Sequence, residues 1–266
     1  MVLRKFTDQL GRQIEIPFPP KKIVSVVPSQ TEFLFDLGLI DEIAAVTKFC
    51  IYPKIQMLNK EKVGGTKSLG LEKIVRIAPD LILANKEENT QEEIELLARK
   101  FPVWISDIKN LADSIAMMEA VGEITNTADR ASNLSKSIET KFAALKPFKP
   151  LRAVYLIWKK PFMAVNSDTF IHDMLGFAGF ENATANSRLR YPGLSVDDLK
   201  AINPDVLLLS SEPFPFGEQH KAELAEILPS CSIHLVDGEL FSWYGSRLLQ
   251  SPTYFINLRK QINNAL

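Results

Sequence analysis

Leu71-Glu72-Lys73-Ile74-Val75-Arg76-Ile77-Ala78-Pro79-Asp80-Leu81-Ile82-Leu83 aligns without a gap on Val196-Asp197-Asp198-Leu199-Lys200-Ala201-Ile202-Asn203-Pro204-Asp205-Val206-Leu207-Leu208. In both copies a short helix opens with a carboxylate in its first turn, Glu72 or Asp197. Each helix is expected to stop at Pro-Asp, because proline disfavours helix in the residue before it. An apolar, β-rich run follows, of the length and type expected for a strand buried in a parallel sheet. Two further pieces recur in the same order. Thr31-Glu32-Phe33-Leu34-Phe35-Asp36-Leu37-Gly38 matches Thr169-Phe170-Ile171-His172-Asp173-Met174-Leu175-Gly176, which predicts a short helix with a glycine stop at Gly38 and Gly176. Val103-Trp104-Ile105-Ser106-Asp107 matches Ile233-His234-Leu235-Val236-Asp237, a strand leading out to a loop. A set of matches in one order predicts two lobes of similar design.

Working outward, strands and helices alternate within each lobe. Ile23 to Val27 reads as a strand, and Ser29-Gln30-Thr31-Glu32 as a capping box that opens the next helix. Leu81 to Ala84 is a second strand. Thr90-Gln91-Glu92-Glu93 reads as another capping box, before a helix with Ile94, Leu97 and Phe101 on one face. This alternation predicts an α/β chain of two Rossmann-like lobes with mainly parallel sheets. Between them Leu134, Ile138, Phe142 and Leu145 recur at helical spacing, and Pro147 and Pro150 follow. The expected organisation is an N-terminal lobe over residues 1–126, one long bridging helix over 127–146, and a C-terminal lobe over 147–266. The bridge of roughly 20 residues would be a rod of about 30 Å.

The chain has 266 residues, 46% of them hydrophobic, ample for a buried core. Its net charge of −1 gives no sign of a nucleic-acid or anionic-membrane partner. No apolar run approaches the ~20 residues needed to span a bilayer. Met1 to Asp8 has no apolar core segment and no small-residue cleavage site, so it does not read as a secretory leader. Two cysteines, Cys50 and Cys231, do not form a disulfide framework and read as packed thiols.

Catalytic signatures are missing: no HExxH, no GxSxG, no complete phosphate loop. Gly64-Gly65-Thr66-Lys67-Ser68 lacks the phosphate-loop spacing and reads as a turn. Gly176-Phe177-Ala178-Gly179 is not a dinucleotide fingerprint. His172, His220 and His234 are scattered without ligand spacing. The expectation is therefore no catalytic residue, no cofactor and no dedicated protein metal site. One soft-metal or cofactor contact stays open at Cys50, within the aromatic loop Lys48-Phe49-Cys50-Ile51-Tyr52-Pro53.

Ligands of open α/β folds sit beyond the carboxyl ends of the strands. Candidates there are Ser29 and Gln30, Glu88, Trp158, Tyr191, Phe214, and the group Trp243, Tyr244 and Arg247. Aromatic walls with a few charges suit a bulky, partly planar, partly anionic ligand. Glu72 and Asp197 offset a helix dipole wherever they point, and they also offer one carboxylate per lobe to arginines of a partner.

These residues carry a family resemblance. Lys22-Ile23-Val24-Ser25-Val26-Val27-Pro28-Ser29-Gln30-Thr31-Glu32, then Val63-Gly64-Gly65-Thr66, then Leu71-Glu72 through Pro79-Asp80-Leu81, resemble the helix-bridged substrate-binding proteins of ABC importers. That group carries cobalamin, haem and iron–siderophore complexes, and the likeness is strongest to its cobalamin-binding branch. It covers nearly the whole chain. The resemblance implies a ligand held in a cleft between the lobes, limited closure, a monomer, and a periplasmic or cell-surface location. It also implies a carboxylate on each lobe that docks on the permease, mapping onto Glu72 and Asp197, with Asp198 as an alternative to the latter. Tyr52 and Trp243 match aromatic positions of the cobalamin pocket. The tryptophan expected just before the Glu72 helix is absent, and Thr66-Lys67 stand there, which makes Lys67 the ligand candidate at that position. The ligand so implied is a corrinoid, with haem or an iron chelate as alternatives. A cytoplasmic chaperone or enzyme for such a compound, on the same scaffold, is the competing reading, and the leaderless N-terminus is what speaks for it.

Overall fold

In the computed structural model, which describes residues 2–264, the chain divides into two compact units. Met1, in the segment read above for a leader, and Ala265 and Leu266, at the end of the expected second lobe, lie outside the described residues. The first unit comprises Met1–Ile108, Ala112–Ile138 and Tyr244–Arg247; the second comprises Lys109–Leu111, Glu139–Trp243 and Leu248–Leu266.

The first unit begins with an antiparallel hairpin, β1 (Val2–Thr7) and β2 (Gln13–Phe18). Then follow β3 (Ile23–Ser25), α1 (Pro28–Asp36), β4 (Ile43–Val46), the single turn α2 (Lys54–Met57) and β5 (Glu61–Lys62). A small β6–β7 pair (Gly64–Gly65, Ser68–Leu69) leads into α3 (Leu71–Ile77), β8 (Leu81–Asn85), α4 (Gln91–Ala98), β9 (Val103–Ser106) and α5 (Leu111–Ile124). The main sheet is parallel throughout, in the order β5-β4-β3-β8-β9. Every residue of β8 is buried, as a strand covered on both faces must be. Ile74 of α3 and Ile94 and Leu97 of α4 pack against Val24, Ile82, Ala84 and Ile105 of the strands.

Helix α6 (Ala128–Ala143) buries Ala131, Ser135, Ile138 and Phe142 along one face, and it passes from the first unit into the second between Ile138 and Glu139. It is shorter than the expected 127–146, about 24 Å. The prolines lie beyond its end: Leu145 N–H donates to Phe142 O and the helix closes one turn earlier.

The second unit runs β10 (Leu151–Leu156), β11 (Phe162–Met163), α7 (Phe170–Phe177), β12 (Phe180–Asn182), β13 (Gly193–Leu194), α8 (Val196–Ile202) and β14 (Val206–Ser210). It ends with α9 (Glu218–Ile227), β15 (Ser232–Val236), α10 (Glu239–Ser242) and α11 (Ser251–Asn263); a 3-10 turn, Ser246–Leu249, precedes α11. The main sheet is again parallel, in the order β12-β10-β14-β15, with Val154, Leu156, Leu207 and Leu209 packed against Leu199, Leu224 and Leu228 of the helices. The expected α/β fold with parallel sheets is the observed one. Among the described residues no helix is long and apolar enough to cross a membrane.

Local details differ from the sequence reading in three places. The capping box at Ser29 does not form. Pro28 takes the first helical position, where its fixed φ suits the turn and its missing N–H costs nothing, so Val27 is the cap and Ser29 to Thr31 lie buried inside α1. Thr90 does stand at the N-cap of α4, but its hydroxyl donates to Lys67 O and Glu93 accepts from Leu69 N–H instead of closing a box. Finally, Gly176 lies within α7; the glycine in the left-handed conformation that ends this segment is Gly179, φ +76°, packed against Phe148.

Candidate functional site

Strand order locates the site within each unit. In the first, the chain leaves β3 toward β4 on one side and returns to β8 on the other, so the order reverses between β3 and β8. In the second it reverses between β10 and β14. Ligands of open α/β sheets bind outside the carboxyl ends of the strands at such switch points.

At the first switch point stand Pro28-Ser29-Gln30, after β3, and Lys86 to Asn89, after β8. The second loop is held by its own asparagines. Asn85 Oδ1 accepts from the N–H groups of Glu87 and Glu88 at 2.8 and 3.0 Å, and Asn89 Nδ2 donates to Val26 O at 3.1 Å. Gln30 is wholly buried and donates to Ser106 Oγ at 2.5 Å. Lys67 is exposed and reaches Glu87 O and Asn89 O, bracing the same loop.

Four consecutive residues, Tyr244 to Arg247, are fastened here. Tyr244 OH donates to Glu88 at 2.7 Å, and Gly245 N–H donates to Ser114 Oγ at 3.1 Å. The Ser246 hydroxyl donates to Asp36. Arg247 grips Glu32 with two parallel bonds of 2.8 Å, and its guanidinium lies 4.1 Å above the ring of Tyr52. Burial pushes the Tyr244 phenol well above its ordinary pKa, helped by the neighbouring Glu88 carboxylate. Burial also raises the Glu32 carboxyl, against the opposing pull of Arg247. Tyr244 and Arg247, expected to face a ligand, thus spend their polar groups on carboxylates of the protein.

Cys50 is 1% exposed. Its Sγ lies 3.1 Å from Thr31 Oγ1 and 3.2 Å from Thr47 Oγ1, and burial pushes its pKa up, so the thiol form is favoured over the thiolate a soft metal requires. Both cysteines are free, and burial raises that of Cys231 to about 11.

At the second switch point Trp158, after β10, is 42% exposed, while its backbone is fixed by Met163 N–H on its carbonyl at 3.1 Å. Its ring meets Phe214, from the loop after β14, edge to face at 5.8 Å. Phe214 in turn packs on Phe216 and on His220, at 4.8 and 5.2 Å. His220, in α9, accepts from Gly217 N–H through Nδ1 at 3.0 Å, and its Nε2 lies 3.4 Å from Gln219 Nε2. Trp243, also in this unit, is buried and donates through Nε1 to Glu212 at 3.0 Å. Tyr191 is half-buried, with the Arg190 guanidinium 6.0 Å from its ring.

The structure therefore brings Ser29, Gln30, Lys67, Glu88, Tyr52, Tyr244 and Arg247 together on the first unit. Trp158 and Phe214 meet on the second. Two members of these groups were missed by sequence reasoning. In sequence Glu32 shows only as part of a capping box and His220 only as a scattered histidine; its place three residues after Gly217, inside a helix start, is the available signal.

Glu72 and Asp197 are exposed in the first turns of the equivalent helices α3 and α8. The alternative, Asp198, is engaged: it accepts from Ser195 Oγ and N–H at 2.6 and 2.8 Å, bonds that hold its carboxyl below the ordinary aspartate range.

Comparison with known proteins agrees with this architecture. The vitamin B12-binding protein of Vibrio cholerae serotype O1 is 26% identical over 216 residues, 79% of this chain and 78% of its own length. An uncharacterized ABC transporter substrate-binding lipoprotein of Bacillus subtilis (strain 168) is 24% identical over 257 residues, 91% of this chain and 81% of its own. The periplasmic heme-binding protein RhuT from Roseiflexus sp. RS-1 shares the fold, with a TM-score of 0.79 at 20% identity over 92% of this chain and 98% of that one. The family model described as periplasmic binding protein matches residues 23–230, most of the chain and parts of both units. The chain belongs to the periplasmic binding protein family, and it is a binding protein rather than an enzyme.

Proposed function

We propose that this protein binds a metal-containing macrocycle or chelate, a corrinoid before haem or an iron–siderophore, and delivers it to the permease of an ABC importer from the periplasm or the cell surface. The observation that carries this reading is the exposed ring of Trp158 at a switch point, packed edge-on against Phe214, in a chain whose relative in Vibrio cholerae is a vitamin B12-binding protein. An indole partly open to solvent at that place suits a large planar or puckered ring system. On the first unit, taken by itself, the half-buried Tyr52 and the loop from Lys86 to Asn89 are the candidate ligand contacts. Lys67 offers a donor to carboxylate or amide groups on the ligand periphery. The ligand brings its own metal.

Delivery rests on Glu72 and Asp197. Both are exposed at the same position of a repeated helix, and neither makes a cap bond: α3 has no side-chain cap, and in α8 Ser195 is the cap with Asp198 closing its box. A free carboxylate at a helix start is a suitable partner for an arginine fork.

The test is to take absorption spectra and masses of whatever co-purifies with the full chain. The stripped protein is then titrated with cobalamin, haem and a ferric hydroxamate, following tryptophan quenching. Saturable binding of one of these at one equivalent is expected. No saturable binding of any of the three would end the proposal.

A further inference from the structure

The segment from Lys48 to Leu58, after β4, breaks the pattern of the rest of the surface. Cys50 and Met57 point inward and are buried, which pins the segment to the first unit. Lys62 adds a further anchor, donating to Cys50 O at 3.2 Å. Between these anchors four large apolar side chains face solvent. Phe49 and Ile51 are about half exposed, and Ile55 and Leu58 are 79% and 82% exposed. The last two are three residues apart across the turn α2, so they project side by side from one face. Lys48 and Lys54, both exposed, flank them, whereas Lys60 donates to Ile40 O and Ile43 O and serves, like Lys62, to hold the segment down. Glu61 is the only acidic residue from Lys48 to Lys62, but Asp41 and Glu42 act on Lys60, so the exposed cations beside the four apolar side chains are Lys48 and Lys54.

We propose that this segment is an interfacial patch that seats the protein on an anionic lipid surface, with Ile55 and Leu58 entering the headgroup region and Lys48 and Lys54 meeting lipid phosphates. The features favour lipid over two other occupants. Residues lining a ligand pocket sit in a concavity and are largely enclosed, whereas Ile55 and Leu58 stand out at about four-fifths exposure. Protein interfaces favour arginine and several aromatics and are depleted in lysine; here the cations are all lysines and the projecting residues are mainly aliphatic. Apolar side chains bracketed by lysines are instead the composition of interfacial segments, and each lysine near an anionic surface adds to the attraction. The proposal goes beyond ligand binding and permease docking, and adds a direct lipid contact to the expected contact with a membrane protein.

The experiment is co-sedimentation of the full chain with vesicles of phosphatidylcholine alone and of phosphatidylcholine with phosphatidylglycerol, at low and physiological salt. Binding is expected only to the anionic vesicles, weakening as salt rises. The double variant Ile55→Asp/Leu58→Asp lowers partitioning by about tenfold or more. Leu189→Asp, a change at another exposed leucine, leaves it unaltered. Circular dichroism and ligand titration of the variants check the fold and keep this test separate from that of the ligand. No binding to anionic vesicles, or binding that the double variant leaves unchanged, overturns the proposal. So does concentration-dependent self-association that the double variant abolishes in the absence of vesicle binding, which would assign the patch to a second copy of the chain.

Discussion

Replacing Arg247 by alanine should destabilise the first unit by about 3 kcal/mol at neutral pH. The guanidinium is 8% exposed and its partner Glu32 14%. Two bonds of 2.8 Å join them, yet the Glu32 carboxyl is still raised above the ordinary range, because burial outweighs the attraction. The pair therefore does not fully restore what the carboxylate loses by leaving water, and without Arg247 it restores nothing. Removing one partner of a buried pair costs roughly 3–5 kcal/mol. The lower end applies here because Glu32 retains some contact with water and can escape by taking up a proton. The pH dependence has a definite sign. A carboxyl whose pKa is raised in the folded state contributes fully below its unfolded pKa, and that contribution is lost as pH rises through the folded pKa. In Arg247→Ala the folded pKa climbs further, so the deficit relative to the parent is small in acid and widens toward neutrality. Glu32→Leu with Arg247→Met, which leaves neither charge behind, should lie within about 1 kcal/mol of the parent. Denaturant unfolding read from Trp104, fully buried in the first unit, measures this once Trp158 and Trp243 are changed to phenylalanine. A loss below about 1 kcal/mol for Arg247→Ala, typical of a surface pair, would refute the reasoning. A pH-independent deficit, or a double variant no better than the single one, would do the same.

The remaining expectations concern the ligand, the permease and the second unit. Trp158→Ala should weaken ligand affinity about tenfold with little change in unfolding; equal affinity in a titration would remove this residue from the site. Glu72→Lys combined with Asp197→Lys should abolish docking on the permease while sparing ligand affinity, and intact docking in a pull-down would reject the assignment. In a carboxyl-detected NMR titration, Asp198 should have a midpoint below that of an ordinary aspartate, and Ser195→Ala should move it upward. Because that pKa is depressed in the folded state, the capping contribution is present above the unfolded pKa and fades as pH falls through the folded one. An unshifted midpoint in the variant would count against the capping box.

Much of the fold was legible because its signals are local. Leu81 to Asn85 and Val206 to Ser210 are short apolar runs bounded by Pro-Asp and by polar loops, and such runs declare a strand covered on both faces. Helix starts were harder, since two local rules competed at the same spot: at α1 the rigid ring of Pro28 set the boundary before the Ser29 side chain could cap anything. For the candidate site, what the sequence shows is where strands end. Trp158 and Phe214 could be placed because strand ends can be placed. The roles of Tyr244 and Arg247 could not. Their partners Glu88 and Glu32 lie 156 and 215 residues away in sequence, and nothing local in a run such as Trp-Tyr-Gly-Ser-Arg distinguishes an arginine that meets a ligand from one that meets a glutamate.

The two copies of the internal repeat do more than end a helix. Proline ends each copy by forcing its predecessor out of the right-handed helix, and Ala78 and Asn203 respond in the same way, with φ of +48° and +45°. That reversal delivers the aspartate that follows proline to the start of the neighbouring strand. Asp80 accepts from the N–H groups of Lys21 and Lys22 at 2.9 and 3.0 Å, immediately before β3. Asp205 accepts from Arg152 N–H at 2.8 Å, near the start of β10. In both copies the backbone returns the bond, from Asp80 N–H to Lys22 O and from Asp205 N–H to Arg152 O, each at 2.9 Å. The motif is thus a buckle that fixes the register between the strand it precedes and the strand on the far side of the switch point, β8 to β3 and β14 to β10. Fixing the amino ends of those two strands determines how far their carboxyl ends extend, and the loops bearing Glu88 and Trp158 begin there. What reads in sequence as a helix stop is, in each unit, the device that sets the geometry of the candidate site at the opposite edge of the sheet.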